Sequence, residues 1–169
     1  MSPLVFVLTQ FAILAYAVLG GVFLAFSDFI MRALALTSAT GGIEAMQVIN
    51  REVFRWVFMT LFLGMAAISA FIMVHSALYL AGGPGTLILV GALVYLFGCF
   101  AITVIFNVPM NQALADMDLS AEATRDFWTG TYLPRWTMWN TIRMLACILA
   151  ATMMLFGLVW FTQSQTRLA

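Results

Sequence analysis

The residues most able to do chemistry lie in segment 130–143, where tyrosine, tryptophan, asparagine and arginine precede a long apolar run. Trp136, Asn140 and Arg143 are spaced i, i+4 and i+7, which places them on one face of a helix. An amide and a guanidinium on that face need partners, because unpaired polar groups in an apolar bundle are costly. The spacing therefore predicts a buried polar site.

Partners for this face can be found near the ends of the other apolar stretches. Ser27 and Asp28 end the first stretch, and Asn107 and Asn111 end the third. Asn50 lies on an apolar stripe that leads into the second stretch and consists of Ile43, Met46, Asn50, Val53, Phe54 and Val57. Asp28 also lies four residues before Arg32, and an ion pair between the two at the membrane surface is the alternative interpretation of this carboxylate. Amides, a guanidinium and flat rings in an apolar setting favour a pocket for a planar, partly polar or anionic molecule. The predicted site comprises Asp28, Asn107, Asn140 and Arg143 as catalytic residues, and Asn50, Asn111, Tyr132, Trp136 and Trp139 as substrate-binding residues.

The same residues also have an interpretation that involves no site. Tryptophan and tyrosine are enriched at membrane interfaces, and asparagine pairs join helices inside the bilayer. An aromatic belt explains Trp56, Trp128 and Trp160 well. It explains the clustered ring, amide and guanidinium groups of segment 136–143 less well, and the pocket is the interpretation we prefer.

The composition of the chain is that of an integral membrane protein. The 169-residue chain is 64% hydrophobic and 8% charged, which excludes a soluble domain and suits four spans. Its formal net charge is zero, so nothing indicates nucleic acid. The single His75 excludes a multi-histidine metal site, and no metal site is predicted. Cys99 and Cys147 lie in apolar stretches and are predicted to be packing residues.

We therefore predict an all-α, four-transmembrane-helix bundle that forms one integral membrane domain over residues 1–169. The last helix, expected from about residue 135 to 161, is roughly 40 Å long against a hydrocarbon core of roughly 30 Å, so its polar first turns stand at the membrane boundary. The predicted spans are at about 3–27, 56–80, 86–108 and 141–161, with polar linkers at 28–55 and 109–140.

A weak internal repeat accompanies this topology. Segments 26–35 and 106–115 align without gaps, so the chain reads as two copies of span, linker, span in the same orientation. Both linkers then lie on one side, together with every arginine except Arg167. The positive-inside rule predicts cytoplasmic linkers and external termini in a membrane of the bacterial inner-membrane type.

His75 is predicted to stand apart from this site. It lies about twenty residues beyond Arg55, or roughly 30 Å of helical rise from the polar end. A single axial haem ligand and a hydrogen-bonded neutral histidine near the far surface both fit the sequence. We prefer the second interpretation.

Four segments carry a resemblance to a known family. They are G-G-V-F-L-A-F-S-D-F at 20–29, A-M-Q-V-I-N-R at 45–51, N-V-P-M-N at 107–111 and W-T-M-W-N-T-I-R at 136–143. Together they resemble the anthrone-oxygenase-like family of small membrane proteins. The resemblance implies a four-span bundle and, for members with assigned roles, oxidation of a polyketide anthrone to an anthraquinone by oxygen, with neither metal nor flavin as cofactor. Many members read Trp-Asn-His-x-Arg where this chain has Thr141, which cannot act as a general base.

Two functional hypotheses follow. In the first, a phenolic or anthrone-like aromatic lies between Trp136 and Trp139, Arg143 stabilises its oxyanion with help from Asn140 and Asn107, and Asp28 is the base. In the second, a non-catalytic membrane protein binds a lipid, quinone or haem, or acts as a scaffold. Both hypotheses give the protein membrane lipid and a small aromatic or lipid-like molecule as partners. The sequence leaves open whether it forms a homo-oligomer.

Overall fold

A computed structural model describes residues 1–38 and 40–166 of the chain. Over those residues it contains five helices and no strand. Four of the helices are long and apolar enough to cross a membrane, and the short α2 is amphipathic. The helices are α1 (Pro3–Ala35), α2 (Gly41–Glu52), α3 (Trp56–Tyr79), α4 (Gly82–Ala115) and α5 (Glu122–Thr166).

The long helices form a bundle in which α5 packs between α1 and α4, and α3 closes the ring against α4 and α1. At its centre the rings of Tyr16 and Tyr95 stack with centroids 4.4 Å apart. The Tyr16 hydroxyl bonds to Ser69 Oγ over 2.5 Å, and the Tyr95 hydroxyl donates to the Phe62 carbonyl over 3.0 Å. Both buried hydroxyls are therefore satisfied by α3. The predicted all-α four-helix membrane bundle is confirmed.

Four π-helical turns interrupt the regular helices: Phe26–Ile30 in α1, Leu96–Ala101 and Thr103–Asn107 in α4, and Trp128–Tyr132 in α5. A π-helical turn is wider than an α-helical one and shifts main-chain hydrogen bonds out of the i to i−4 ladder. Such turns are common at functional sites.

The π-helical turns change what the two prolines do. Pro109 and Pro134 are each the second residue of the α-helical segment that follows a π-helical turn, and the helix continues through both. A proline is tolerated there because the preceding backbone has already left the α-helical hydrogen-bond pattern. The expectation that the last helix starts near residue 135 is therefore wrong, and α5 begins at Glu122.

The connection between α2 and α3 also differs from the expected single stripe. Met46 and Asn50 are buried as the stripe predicts, whereas Phe54 and Val57 are 68% and 85% exposed. The reason is a break in the helix: α2 ends at Glu52, and Arg55 has extended backbone before α3 starts. The break resets the helical phase, so the stripe of α2 does not continue into α3.

Gly91 lets α4 approach α5 closely. A Cβ atom at Gly91 would lie 2.8 Å from Met154 Cγ and 3.0 Å from the Ala150 carbonyl oxygen, which belongs to rigid helical backbone. We expect Gly91→Val to destabilise the bundle by about 1–3 kcal/mol through overpacking. Thermal unfolding of the detergent-solubilised protein measures this. Gly64→Val is the matched control, because a Cβ there meets nothing within 4 Å.

Candidate functional site

A cavity of about 430 Å³ lies at the linker end of the bundle, and all five helices contribute to its wall. Its volume is in the range of pockets that hold small organic ligands, about 300–1,000 Å³. Phenylalanines from α1, α3 and α4 make much of the wall, and Trp136 provides an indole ring. The polar side chains that line it are Asn50, Glu52, Thr103, Asn111, Asn140 and Arg143.

Arg143 is the cation of this cavity and is only 5% exposed. Nη1 donates to Thr103 Oγ over 3.2 Å and Nη2 donates to Asn140 Oδ1 over 2.7 Å. The Nε atom is buried with no hydrogen-bond partner, and in the described part of the chain no carboxylate lies within ion-pairing distance of the guanidinium. A buried charge without a counterion is costly, so the site is electrostatically incomplete without an anion.

The guanidinium of Arg143 lies over two aromatic rings. Its Cζ is 4.5 Å from the centroid of the Phe23 ring and 5.3 Å from that of Trp136. Cation–π contacts of this kind hold the group in place and offset part of its desolvation. Thr103 and Asn140 each accept one N–H bond, so further N–H groups on Nη1 and Nη2 are left to receive an anion.

Asn140 holds Arg143 and has no donor left for a ligand. Its Nδ2 donates to the Phe23 carbonyl and to Ser27 Oγ, each over 2.7 Å, while Oδ1 accepts from Arg143. The Phe23 and Ser27 acceptors stand beside the π-helical turn of α1, where the main-chain ladder is disturbed. Asn140 therefore holds Arg143 in place, and the structure directs none of its N–H groups at the cavity.

Thr141 occupies the position at which the sequence resemblance implies a histidine. It lies behind Asn140 and outside the cavity wall, with its hydroxyl 2.9 Å from Ser27 Oγ and 2.9 Å from the Thr137 carbonyl oxygen. The residue is therefore connected to the group that anchors Asn140, one layer away from the cavity.

Asn107 is buried and lies outside the cavity wall. Its Nδ2 donates to the Trp136 carbonyl over 3.3 Å, and within the described residues its Oδ1 is buried without a partner. It therefore joins α4 to α5 beside the site. The structure does not bring it to the position of an oxyanion-binding group.

A second polar group in the wall consists of Asn111, Asn50, Tyr132 and Trp136. Asn111 Oδ1 accepts from the Trp136 indole N–H over 2.7 Å and from the Tyr132 hydroxyl over 2.8 Å. Asn50 Nδ2 donates to that hydroxyl over 3.2 Å. Tyr132 is fully buried behind the wall, stacked between Trp128 and Trp136 with centroids 5.3 and 6.2 Å away. It supports Asn50 and Asn111 and does not itself face the cavity.

Trp139 lies away from the cavity that Trp136 lines. Its ring stacks on Phe106 of α4, with centroids 3.8 Å apart and planes 8° from parallel. Because Phe106 already occupies that face, the two tryptophans do not form the walls of one slot. The structure does not support a ligand held between them.

Asp28 is exposed and does not line the cavity. It lies in the π-helical turn Phe26–Ile30, which directs Ser27 toward Asn140 and leaves Asp28 at the surface. The expected ion pair between Asp28 and Arg32 is not among the ion pairs of the described residues. Glu52 is instead the carboxylate that the described structure places in the wall. Glu52 is not part of the apolar stripe of α2, so the sequence pattern did not indicate that it lines the cavity.

His75 lies outside this site, as expected. Its ring is half-buried between Phe71 and Tyr79, with centroids 6.3 and 5.1 Å away. The predicted hydrogen bond is not found at Nδ1, which is buried without a partner in the described structure. Cys99 and Cys147 are buried and free, as their packing role requires.

The fold and the cavity define a small four-span membrane protein built around a buried cation and a mostly apolar pocket. A family model described as anthrone oxygenase matches residues 51–153, which is well over half of the chain. The chain belongs to the anthrone oxygenase family, and the resemblance read from its motifs is confirmed. No match was found among curated proteins or among solved structures.

Proposed function

We propose that this protein binds a planar phenolic or anthrone-type aromatic as its oxyanion and promotes oxidation of the ligand by O2. The single observation that carries the proposal is Arg143, a buried guanidinium that lines the cavity and has no carboxylate partner among the described residues. An enolate or phenolate oxygen supplies the missing charge, and the apolar wall accepts the rings.

The chemistry asks little of the protein beyond stabilising an anion. Loss of one proton converts an anthrone to its enolate, which is electron-rich enough to reduce O2. The methylene carbon then loses its two hydrogens and gains one oxygen atom from O2, while the second oxygen atom leaves as water. Donors preorganised around a developing oxyanion in a dry site are worth about 10²–10³ in rate. Arg143 supplies those donors, and Thr103 and Asn140 hold them in place.

The proton needs an acceptor, and we assign that role to Glu52. This residue lines the cavity at the end of α2, and its side chain is 54% exposed, so a proton taken there can pass to solvent. Its carboxylate also contacts Arg55 Nε at 2.5 Å. Asp28, which points to the outer surface, is not proposed as the base.

We expect Glu52→Gln to lower the rate of aromatic oxidation by about 10²-fold while leaving ligand affinity nearly unchanged, because the amide cannot take up the proton. Oxygen uptake and equilibrium binding, measured on the same preparation, separate the two effects. Glu44→Gln is the matched control, since Glu44 lies on the same helix, is exposed and does not line the cavity. Equal rates in the Glu52 variant and the wild type would remove Glu52 from the mechanism.

The proposal as a whole is tested with purified protein and a series of anthrones in air-saturated buffer. An oxygen electrode and the absorption of the quinone product should show one O2 consumed per anthraquinone formed, faster than spontaneous oxidation. Binding with no increase in oxygen uptake would favour the non-catalytic alternative, a carrier of a lipid or quinone. Absence of both binding and uptake would contradict the proposal.

We also propose that the linkers face the cytoplasm and the termini face outward. The support is the arginine distribution, since every arginine except Arg167 lies on the linker side of the four spans. The cavity then opens near the cytoplasmic boundary of the membrane. A reporter domain fused to the C-terminus and active only in the cytoplasm should be silent, and an active reporter would reverse the orientation.

A further inference from the structure

Asn111 presents a fixed end of its amide to the cavity. The Trp136 indole N–H and the Tyr132 hydroxyl both donate to Asn111 Oδ1, over 2.7 and 2.8 Å. An indole N–H can only donate, so the oxygen of Asn111 must face the ring. The NH2 group of Asn111 is thereby left as a donor for something outside the network.

Asn50 presents the complementary end. The single proton of the Tyr132 hydroxyl is used on Asn111, so its oxygen accepts from Asn50 Nδ2 over 3.2 Å. That contact leaves Asn50 Oδ1 as an acceptor. Asn50 and Asn111 both line the cavity. In the described structure some polar side-chain atoms are fully buried without a hydrogen-bond partner, and Asn50 Oδ1 and Asn111 Nδ2 are not among them. Both free atoms can therefore be reached by a ligand.

We propose that Asn50 and Asn111 form a second polar subsite that binds a neutral hydroxyl group on the aromatic ligand. Asn50 Oδ1 accepts the hydroxyl proton, and the Asn111 NH2 group donates to the hydroxyl oxygen. A hydroxyl satisfies both groups at once, whereas an ether or a halogen leaves Asn50 without a donor and a second oxyanion is repelled by Asn50 Oδ1. This inference rests on the proposed function, since it concerns the ligand of the same cavity.

Trp136 connects the new subsite to the cation. Its ring lies 5.3 Å from Arg143 Cζ, and its N–H donates to Asn111. Because Arg143, Asn50 and Asn111 line the same cavity as Trp136, a flat ligand in it can place one oxygen toward Arg143 and another toward the amide pair. The substrate class that follows is an aromatic with at least two oxygen substituents, one ionised and one protonated.

The test uses ligands that bind without turning over. A monohydroxyanthraquinone and the dihydroxyanthraquinones that carry one further hydroxyl are planar, coloured and stable to O2. Their affinities can therefore be measured by titration of the purified protein. At least one dihydroxy isomer should bind about tenfold more tightly than the parent, the contribution of one net hydrogen-bonded group. Asn50→Ala should remove that gain, so that this variant binds the dihydroxy and monohydroxy ligands with about equal affinity.

Gln47→Ala is the matched control. Gln47 is buried on the same helix and donates to the carbonyls of Leu114 and Met117, but it lies outside the cavity wall. Its replacement removes two side-chain hydrogen bonds, against the one that Asn50→Ala removes, and should preserve the gain from the second hydroxyl.

Each result decides between two explanations. Loss of the gain in the Asn50 variant alone supports the subsite. If no dihydroxy isomer gains affinity, or if the gain survives in the Asn50 variant, the amide pair is only structural and the inference fails. If the inference fails in this way but the monohydroxy ligand still binds, and binds only when Arg143 is present, the proposed function stands. Absence of binding by any of these ligands overturns both.

Discussion

Replacing Arg143 with methionine should weaken binding of a phenolate or enolate ligand by at least about 10²-fold and slow its oxidation by a similar factor. The side chain is buried, lines the cavity and, in the described structure, has hydroxyl, amide and ring contacts but no anionic partner. The ligand therefore supplies its only counterion. Titration with a stable hydroxyanthraquinone measures the affinity, and oxygen uptake measures the rate.

The same substitution should leave the fold intact. In many proteins, stability is unchanged or increased when a buried, uncompensated charge is replaced by an apolar side chain of similar length. The loss of the hydrogen bond to Asn140 Oδ1 opposes this gain. We expect a change in the free energy of unfolding within about 1 kcal/mol. Loss of binding with unchanged thermal stability would separate a ligand-binding arginine from a structural one.

Arg135→Met is the control for Arg143→Met. Arg135 lies on the same helix, is exposed and does not line the cavity. The Arg135→Met variant should bind and oxidise the ligand like the wild type. Any general effect of removing a cation from α5 would be seen in this control. Wild-type affinity in the Arg143 variant would eliminate the oxyanion site.

Replacing Asn140 with leucine should have the second-largest effect, and on two properties at once. The substitution removes three hydrogen bonds, to the Phe23 carbonyl, to Ser27 Oγ and from Arg143 Nη2. Ser27 Oγ keeps its bond from Thr141 and the Phe23 carbonyl keeps its bond from the Phe26 N–H, whereas the Arg143 Nη2 proton loses its acceptor. Each lost bond costs about 0.5–1.5 kcal/mol and the charge-assisted one about 1.5–3 kcal/mol, so the bundle should lose several kcal/mol of stability. Affinity for the anionic ligand should fall roughly tenfold, because Arg143 is no longer held in position.

A double-mutant cycle identifies the positioning role. If Asn140 acts only through Arg143, its effect on ligand affinity should vanish in the Arg143→Met background, while its effect on thermal stability should persist. Equal losses of affinity in both backgrounds would show that Asn140 contacts the ligand itself. Thr152→Val serves as the control on α5, since Thr152 is exposed and bonds only to the Ile148 carbonyl of its own helix.

The π-helical turns explain how a plain hydrophobic bundle comes to hold this polar cluster. All four lie in helices that line the cavity: Phe26–Ile30 in α1, Leu96–Ala101 and Thr103–Asn107 in α4, and Trp128–Tyr132 in α5. Each disturbs the i to i−4 ladder and changes the phase of the residues beyond it. Asn140 and Asn107 each donate to a main-chain carbonyl of a neighbouring helix, at Phe23 and Trp136. The polar side chains thereby become part of the helix packing.

The sequence alone determined the membrane bundle and the face of α5 that carries the site. Inside a bilayer, backbone N–H and C=O groups must form hydrogen bonds within the protein, and an apolar segment of spanning length does this as a helix. The placement of Trp136, Asn140 and Arg143 on one face also follows from spacing within a single helix, and the structure has all three lining one cavity. Both results depend on local periodicity, which a sequence displays directly.

Only the tertiary structure decided which other residues meet that face. Trp139 stacks on Phe106 and Glu52 enters the wall, and the sequence suggested neither placement. Asp28 lies at the surface, as its alternative interpretation had it, and not in the predicted site. A π-helical turn inserts about one residue, and one residue rotates an α-helix by about 100°, enough to move a side chain from the cavity to the surface. The break between α2 and α3 has a similar effect. Such shifts are set by packing between helices distant in the chain, so local spacing could not reveal them.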